Sequence, residues 1–490
     1  MIFNSLAFFI FFPVVTTLYF VLPHRFRWLL LLIASCVFYM AFIPIYILIL
    51  LATIAVDYTA GLLIERASGS RRRLYLVASI IINVGFLAFF KYYGFAASNI
   101  SAVADFLHWN YSLPLLSILL PIGLSFHTFQ AMSYTIEVYK GNQKAERHLG
   151  IYALYVMFYP QLVAGPIERP QNLLPQFREV HVFEYSRVAA GLRLMLWGFF
   201  KKIVIADNIA PLVDRVYDYP AQFHGIPLIV ATVLFAFQIY CDFSGYSDIA
   251  IGSAKVMGFK LMNNFDRPYS SKSIAEFWRR WHISLSSWFR DYLYIPLGGN
   301  RAGKWRQSFN LLFVFLVSGL WHGAQWTYVT WGGLFGLYLV ISLHTKFLRE
   351  RLTKILRLTS WPRLLGALQL LITFSLVCFS WIIFRAASLS DAWYIFTRAF
   401  VGWSSLFAGG FGNSFNNLCA LLGVSAFNFA NIAAAIVVME FVQFFERHET
   451  VGDALKIRPP WIRFSAYNVI LLWIIFFGYF SEHPFIYFQF

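Results

Sequence analysis

Charge is the scarcest commodity in this chain: Asp, Glu, Lys and Arg make up 13% of its 490 residues, where a water-soluble domain carries about 25%. Acidic residues are the rarer kind, with 23 Asp and Glu against 39 Lys and Arg and a net charge of +16. So little charge cannot cover the outside of a soluble globule, and the apolar bulk excludes intrinsic disorder, a collagen-like repeat and an ordinary cytosolic enzyme. Cysteine is sparse too. Cys36, Cys241, Cys378 and Cys419 lie in apolar surroundings with no C-x-x-C and no Cys/His pairing at zinc spacing. That pattern excludes a disulfide-stapled module, implies no metal site, and leaves the cysteines as small packing hydrophobes. Also missing are a G-x-S-x-G elbow, a P-loop, a G-x-G-x-x-G turn and an H-E-x-x-H helix, so a serine nucleophile and nucleotide or zinc chemistry have no motif to stand on. Nothing in the chain reads nucleic acid, since membrane topology accounts for its positive charge.

What is abundant is hydrophobic and aromatic: 59% and 20% of the residues. Apolar runs near the length that crosses a bilayer, about 20 residues, recur throughout, at 1–23, 28–56 (continuing to 64), 74–90, 106–136, 149–167, 188–200, 221–240, 307–345, 364–384, 399–439 and 464–480. The runs 307–345 and 399–439 are each long enough for two passes, or for one pass and a re-entrant segment. The expectation is an all-α polytopic membrane protein with roughly eleven transmembrane helices plus short tilted or re-entrant ones, forming one integral-membrane domain over residues 1–490. No strand alternation supports a barrel. The first run lacks a basic n-region and a small-residue cleavage site, so it reads as a retained span rather than a secretion signal. Arg25 and Arg27 follow it, which places the N-terminus outside. The basic clusters Lys346, Arg349, Arg351, Lys354, Arg357 and Lys456, Arg458, Arg463 then face the cytoplasm, and the tail returns to the outer side.

Polar groups inside apolar runs are costly and mark functional sites. In a histidine-bearing core at about residues 240–345, three groups qualify. The first is L-W-H-G-A-Q-W at 320–326, midway along a charge-free stretch; His322 there can take and return a proton near neutral pH, or equally be a histidine hydrogen-bonded at a helix turn near the interface, with the tryptophans part of an aromatic belt. The second is S-K-S-I-A-E-F-W-R-R-W-H-I-S-L-S-S-W-F-R-D-Y-L-Y-I-P at 271–296. Ser273 and Glu276 form a capping box that starts a helix at Ile274. Helical spacing then places Ile274, Phe277, Trp278, Trp281, Leu285, Trp288 and Phe289 on one stripe, with Arg279, Arg280, Ser287, Arg290 and Asp291 opposite and His282 on the shoulder beside Trp278 and Ser286. Such a helix lies at the membrane boundary or lines a polar funnel. An imidazole among cations and indoles suits an anionic thioester donor, as well as the simpler role of binding lipid phosphate. The third is Asp242, Ser244, Tyr246 and Asp248 at the end of an apolar run, expected to act as polar glue between helices, with Arg279, Arg280, Lys255 and Arg290 as candidate counter-ions.

The blocks F-W-R-R-W-H-I-S-L-S-S-W-F-R-D-Y-L-Y-I-P-L-G-G-N-R (277–301) and S-G-L-W-H-G-A-Q-W-T-Y-V-T-W-G-G (318–333) resemble the signature of the membrane-bound O-acyltransferase superfamily, in the branch of the alginate O-acetyltransferase membrane subunit. Segments 120–141, 158–170, 240–252 and 484–490 extend the resemblance over nearly the whole chain; one departure is Gln161, where some alginate-type members carry histidine. The resemblance implies helices ringed around a central funnel in a bacterial inner membrane, with His322 and His282 as the catalytic pair. It further implies that Arg279, Arg280, Trp278, Trp281, Trp321 and Ser286 serve the donor or substrate. Acetyl-CoA would be the cytoplasmic donor, with no resident cofactor. A periplasmic partner of the SGNH-hydrolase type would place the acetyl group on an exported polysaccharide, which fits the absence of a serine nucleophile. Two alternatives share these residues: D-alanyl transfer to a teichoic acid-type polymer, and a proton-coupled transporter or flippase. The lack of an internal repeat weighs against the transporter.

Overall fold

A computed structural model describes residues 1–109, 111, 113–114, 121–301, 303–402, 411–445, 459–480 and 485–486. Lys456, Arg458 and residues 487–490 of the tail lie outside the described residues. Every regular element among the described residues is helical, as the apolar runs without alternation require. These residues gather into two compact units, one over 1–195 and 246–263, the other over 196–245 and 264–486.

The first unit holds α1 (Leu6–Val21), α2 (His24–Met40), α3 (Ile47–Arg66), α4 (Gly69–Leu87), α5 (Tyr93–Phe106), α6 (Leu124–Lys140), α7 (Leu149–Met157), α8 (Pro170–Gln176) and most of α9 (Tyr185–Phe199). Its helices are tied by polar contacts between apolar faces. The buried Asp57 carboxylate of α3 accepts from Ser79 Oγ (2.5 Å) and Asn83 Nδ2 (2.8 Å) of α4, the interhelical hydrogen bonding that replaces a hydrophobic drive inside lipid. The apolar run 149–167 does not form one long helix. It ends as helix at Met157, and Phe158, Tyr159, Leu162, Val163, Ala164 and Ile167 continue as buried irregular backbone. Such backbone is tolerated at membrane depth only where protein encloses it.

The second unit holds a π-helical stretch (Phe200–Ala206), α10 (Asp207–Asp218), α12 (Ile274–Arg280), α13 (Ile283–Phe289), a second π-helical stretch (Arg290–Tyr294), α14 (Lys304–His322), α15 (Trp326–His344), α16 (Lys346–Ile355), α17 (Pro362–Arg385), α18 (Leu389–Arg398), α19 (Phe411–Leu422), α20 (Ala426–Phe445) and α21 (Pro460–Phe477). The 32-residue α11 (Ile226–Met257) supplies residues to both units. Among the described residues seven helical stretches are long and apolar enough to cross a bilayer: Pro44–Arg66, Gly69–Phe106, Ile226–Met257, Trp326–His344, Pro362–Arg385, Ala426–Phe445 and Pro460–Phe477. The polytopic reading stands, and the count of eleven is not reached by that measure. Helices such as α6, 17 residues long and buried along most of its length, or α7 with nine residues, are too short or too polar to qualify.

Candidate active site

The capping box starts its helix where the spacing predicts. Ser273 Oγ accepts from the Glu276 N–H (3.2 Å), the Glu276 carboxylate accepts from the Lys272 N–H (2.9 Å), and α12 begins at Ile274. The single amphipathic helix expected through Pro296 does not form. It breaks at His282, whose backbone turns left-handed (φ 43°, ψ 56°), before α13 resumes. The cause is a competing strand of chain at 264–266: the Asp266 N–H donates to the Arg280 carbonyl and the Ile283 N–H to the Asn264 carbonyl, both at 2.9 Å. A left-handed histidine costs on the order of 1–3 kcal/mol and persists only where its surroundings over-determine it. Here they do.

His282 is wholly buried. Its Nδ1 lies 3.1 Å from Asn264 Oδ1, which also accepts from the Ser284 N–H (3.3 Å) and Ser284 Oγ (2.9 Å). The Phe243 ring meets the imidazole edge to face at 4.6 Å. Burial pushes the imidazole well below its ordinary pKa and holds it neutral.

His322 is placed by a different device. The charge-free run 307–345 folds as a hairpin of α14 and α15, and His322 is the last residue of α14. Gly319 and Gly332 let the two backbones touch: a Cβ on Gly319 would come 2.3 Å from the Tyr328 carbonyl, and one on Gly332 would come 2.2 Å from the Phe315 carbonyl. Small residues buy this close approach in membrane hairpins. It sets the buried His322 ring against Trp331 (4.9 Å), Trp321 (5.0 Å) and Phe384 (5.8 Å). The Trp321 indole also packs on His282 at 6.1 Å, so one indole joins the two imidazoles.

A cavity of about 720 Å³ lies beside them. Trp278, Phe315 and Val314 form apolar wall. Ile283 and Ser286 line it from the His282 turn, Ser318 lines it one helical turn before His322, and the exposed cations Arg279, Arg290, Lys346 and Arg349 complete its wall. Trp278, Arg279 and Ser286 therefore face the cavity. Trp281 and Trp321 do not: Trp281 packs on Trp381 (5.2 Å) and Phe265 (5.1 Å), and Trp321 is the spacer between the histidines. Arg280 also stays out of the cavity wall and pairs with Glu276 at 2.8 Å.

The third group divides. Asp242 accepts from Lys202 Nζ (2.7 Å) and from the Ile486 N–H (2.7 Å), Lys202 also reaches Asp207 (2.8 Å), and Lys201 Nζ donates to Ser244 Oγ (3.0 Å). Burial works against the charge on Lys202, and the two carboxylates more than offset it, holding the ammonium above its ordinary range. Lys202 and Lys201 thus take the place expected of Arg279, Arg280, Lys255 and Arg290 beside Asp242 and Ser244, because the 200–206 stretch folds against this part of α11. Tyr246 and Asp248 fall in the first unit, where Tyr246 packs on Phe3 at 4.5 Å. Cys241 contacts Met439 through sulfur at 3.3 Å, a packing role, and all four cysteines are free thiols.

Sequence reasoning missed Asn264, Lys202 and the aromatic box of Trp331, Trp381 and Phe384. Lys202 carried a signal, a buried-type lysine next to an apolar run. Asn264 carried none, because nothing local marks an asparagine as the partner of a residue eighteen positions on.

Residues 147–389, which hold both histidines and the whole cavity wall, match the model of the membrane-bound O-acyltransferase family, and this chain belongs to that family. It is a multi-pass membrane O-acyltransferase. Its place is in the branch of the alginate O-acetylases: it is 40% identical over 404 residues to a probable alginate O-acetylase of Pseudomonas aeruginosa, covering 82% of this chain and 75% of that one. A peptidoglycan O-acetyltransferase of Helicobacter pylori is 36% identical over 425 residues, covering 80% and 78%. A teichoic acid D-alanyltransferase of Streptococcus thermophilus is 31% identical over 297 residues, covering 56% and 70%. Gln161, one point of departure from some alginate-type members, is buried in the first unit and donates to the Tyr155 carbonyl at 2.9 Å.

Proposed function

We propose that this enzyme takes an acetyl group from acetyl-CoA at the cytoplasmic side of the bacterial inner membrane and passes it outward for O-acetylation of an exported polysaccharide. A periplasmic partner of the SGNH-hydrolase type completes the transfer. The observation that carries this reading is the pair of buried imidazoles joined by Trp321, beside a cavity whose wall comes within one helical turn of each. Lys346 and Arg349 of that wall belong to a basic cluster of the kind retained in the cytoplasm, which gives the cavity a donor-side mouth, and Arg279 offers a charge for the phosphates of CoA. The apolar wall suits a thioester arm better than it suits water.

In this reading His322 accepts the proton of the incoming hydroxyl as its oxygen attacks the thioester carbon. The C–O bond forms, the C–S bond breaks, and the proton passes to the departing thiolate. His282, neutral and rigidly held, positions the donor or the acceptor hydroxyl. No side-chain nucleophile is needed, in keeping with the missing serine motif. Support for acetyl over D-alanyl transfer comes from the relatives, since both polymer O-acetylating enzymes align over about four-fifths of this chain and the D-alanyltransferase over 56%. The test is incorporation of labelled acetate into polymer by membranes carrying wild-type enzyme or His322→Ala at equal abundance. Near-normal incorporation by the variant removes His322 from the chemistry.

A further inference from the structure

Three candidates outside the roles already described bear on function. A second cavity of about 500 Å³ has Arg215, Gln222, His224 and Asn417 in its wall; all four of these side chains are exposed, and nothing else points to its ligand. His127 in α6 is buried with both ring nitrogens unpartnered, with no cavity described around it. The strongest is the asparagine behind His282.

The chemistry of that contact is settled by the third donor. A backbone N–H can only donate, so the side-chain atom of Asn264 that faces the Ser284 N–H at 3.3 Å is the oxygen. The same oxygen lies 3.1 Å from His282 Nδ1. Two acceptors would repel at that distance, so Nδ1 carries the proton and Nε2 the lone pair. The backbone reinforces the geometry, because the Asn264 carbonyl accepts from the Ile283 N–H at 2.9 Å on the far side of the left-handed turn. One residue therefore holds both the ring and the strained backbone that presents it.

We infer that Asn264 is a positioning residue that fixes His282 as the Nδ1–H tautomer and aims its basic Nε2 at the reacting groups. The inference rests on the reading of this site as an acetyl-transfer centre. An amide suits the task where a carboxylate would not: its oxygen orders the tautomer without adding a charge that would stabilise the imidazolium. The buried ring is thus kept neutral and basic at the same nitrogen throughout turnover, as the partner on the far nitrogen does for other functional histidines.

Two measurements on the full-length protein test it. Nitrogen-15 spectra of histidine-labelled enzyme, with the His282 signals assigned by their loss in His282→Gln, should show a protonated Nδ1 and an unprotonated Nε2; a protonated Nε2 in the wild type overturns the inference. Acetyl transfer from labelled acetyl-CoA supplies the second. Asn264→Ala should lower kcat by about 10- to 100-fold with donor KM little changed, because ring orientation and not donor binding is lost. Asn264→Asp keeps the acceptor oxygen but adds charge. It should retain more activity than Asn264→Ala and shift the acid limb of the pH–rate profile to higher pH, since a carboxylate raises the His282 pKa and below it the protonated ring can no longer accept a hydrogen bond at Nε2. An Asn264→Ala enzyme with wild-type kcat and an Asn264→Asp enzyme with an unshifted acid limb each overturn the proposal. If Asn264→Ala does not accumulate in membranes, the Asn264→Asp profile and the wild-type spectrum still decide. A fully active His282→Gln enzyme defeats instead the role given to His282 in acetyl transfer, and the spectrum alone then judges the tautomer.

Discussion

His282 and His322 are both buried, and they are held in opposite ways. His282 stands on a strained left-handed residue between two short helices, gripped by hydrogen bonds from a segment eighteen residues earlier. His322 ends a regular helix and is located by packing, with three aromatic rings within 6 Å and a glycine-lined helix pair behind it. A ring held by hydrogen bonds has a chosen tautomer as well as a chosen place. A ring seated among aromatic edges has its place chosen by packing. In the proposed mechanism His322 is the proton carrier and His282 the fixed reference point, and the two supports can be tested separately.

Substitutions on each side can break that comparison. The largest effect is expected from His322→Ala, a loss of about 10²- to 10⁴-fold in acetyl transfer, measured as labelled acetate reaching polymer at equal membrane abundance. His282→Ala should cost less, because the residual His322 base still acts on a less well-placed group; an unaltered rate would demote His282 to packing. Next comes the support behind His322. Gly332→Ala forces a Cβ to within 2.2 Å of the Phe315 carbonyl, and overpacking of this kind costs about 1–3 kcal/mol, read as a lower unfolding temperature of the detergent-solubilised protein. Its activity should fall through His322 while the Nδ1–H signal of His282 stays as in the wild type; a disturbed His282 signal would mean that the two supports are coupled. The smallest effect is Arg279→Gln. Arg279 is an exposed cation at the cavity, and an exposed charge pair is worth about 1 kcal/mol at most. Donor KM should therefore rise by no more than about five-fold, with kcat unchanged and the difference shrinking as salt is raised. A fall in kcat would place Arg279 closer to the chemistry than its exposure suggests.

The Asp242 cluster sharpens the same lesson from a region without a histidine. Lys202 lies between Asp207 and Asp242 at 2.8 and 2.7 Å, a buried ion triad whose carboxylate also receives the Ile486 N–H. Removing the cation leaves two buried carboxylates facing each other, which costs about 3–5 kcal/mol. Lys202→Met should accordingly reduce folded protein in membranes more than it reduces activity per folded molecule, the reverse of His322→Ala.

Much of this was legible in the chain. Hydropathy identified a polytopic helical protein, the capping box placed the start of α12 at Ile274, the length of the 307–345 run allowed the hairpin, and the R-W-H and W-H-G blocks carried both histidines and the family. These are local signals, written in residues close together in sequence: transfer energy per residue, a cap three positions from its partner, a short motif. What only the tertiary structure decided is which distant groups meet. The helix breaks at His282 because carbonyls and an amide at 264–266 compete for its hydrogen bonds. Asp242 chooses Lys202 over the arginines of α12, and Trp321 turns inward as the spacer between two rings. Each choice turns on hydrogen bonds and contacts between segments far apart in sequence, whose value depends on distance and burial, and neither quantity is defined until the chain has folded.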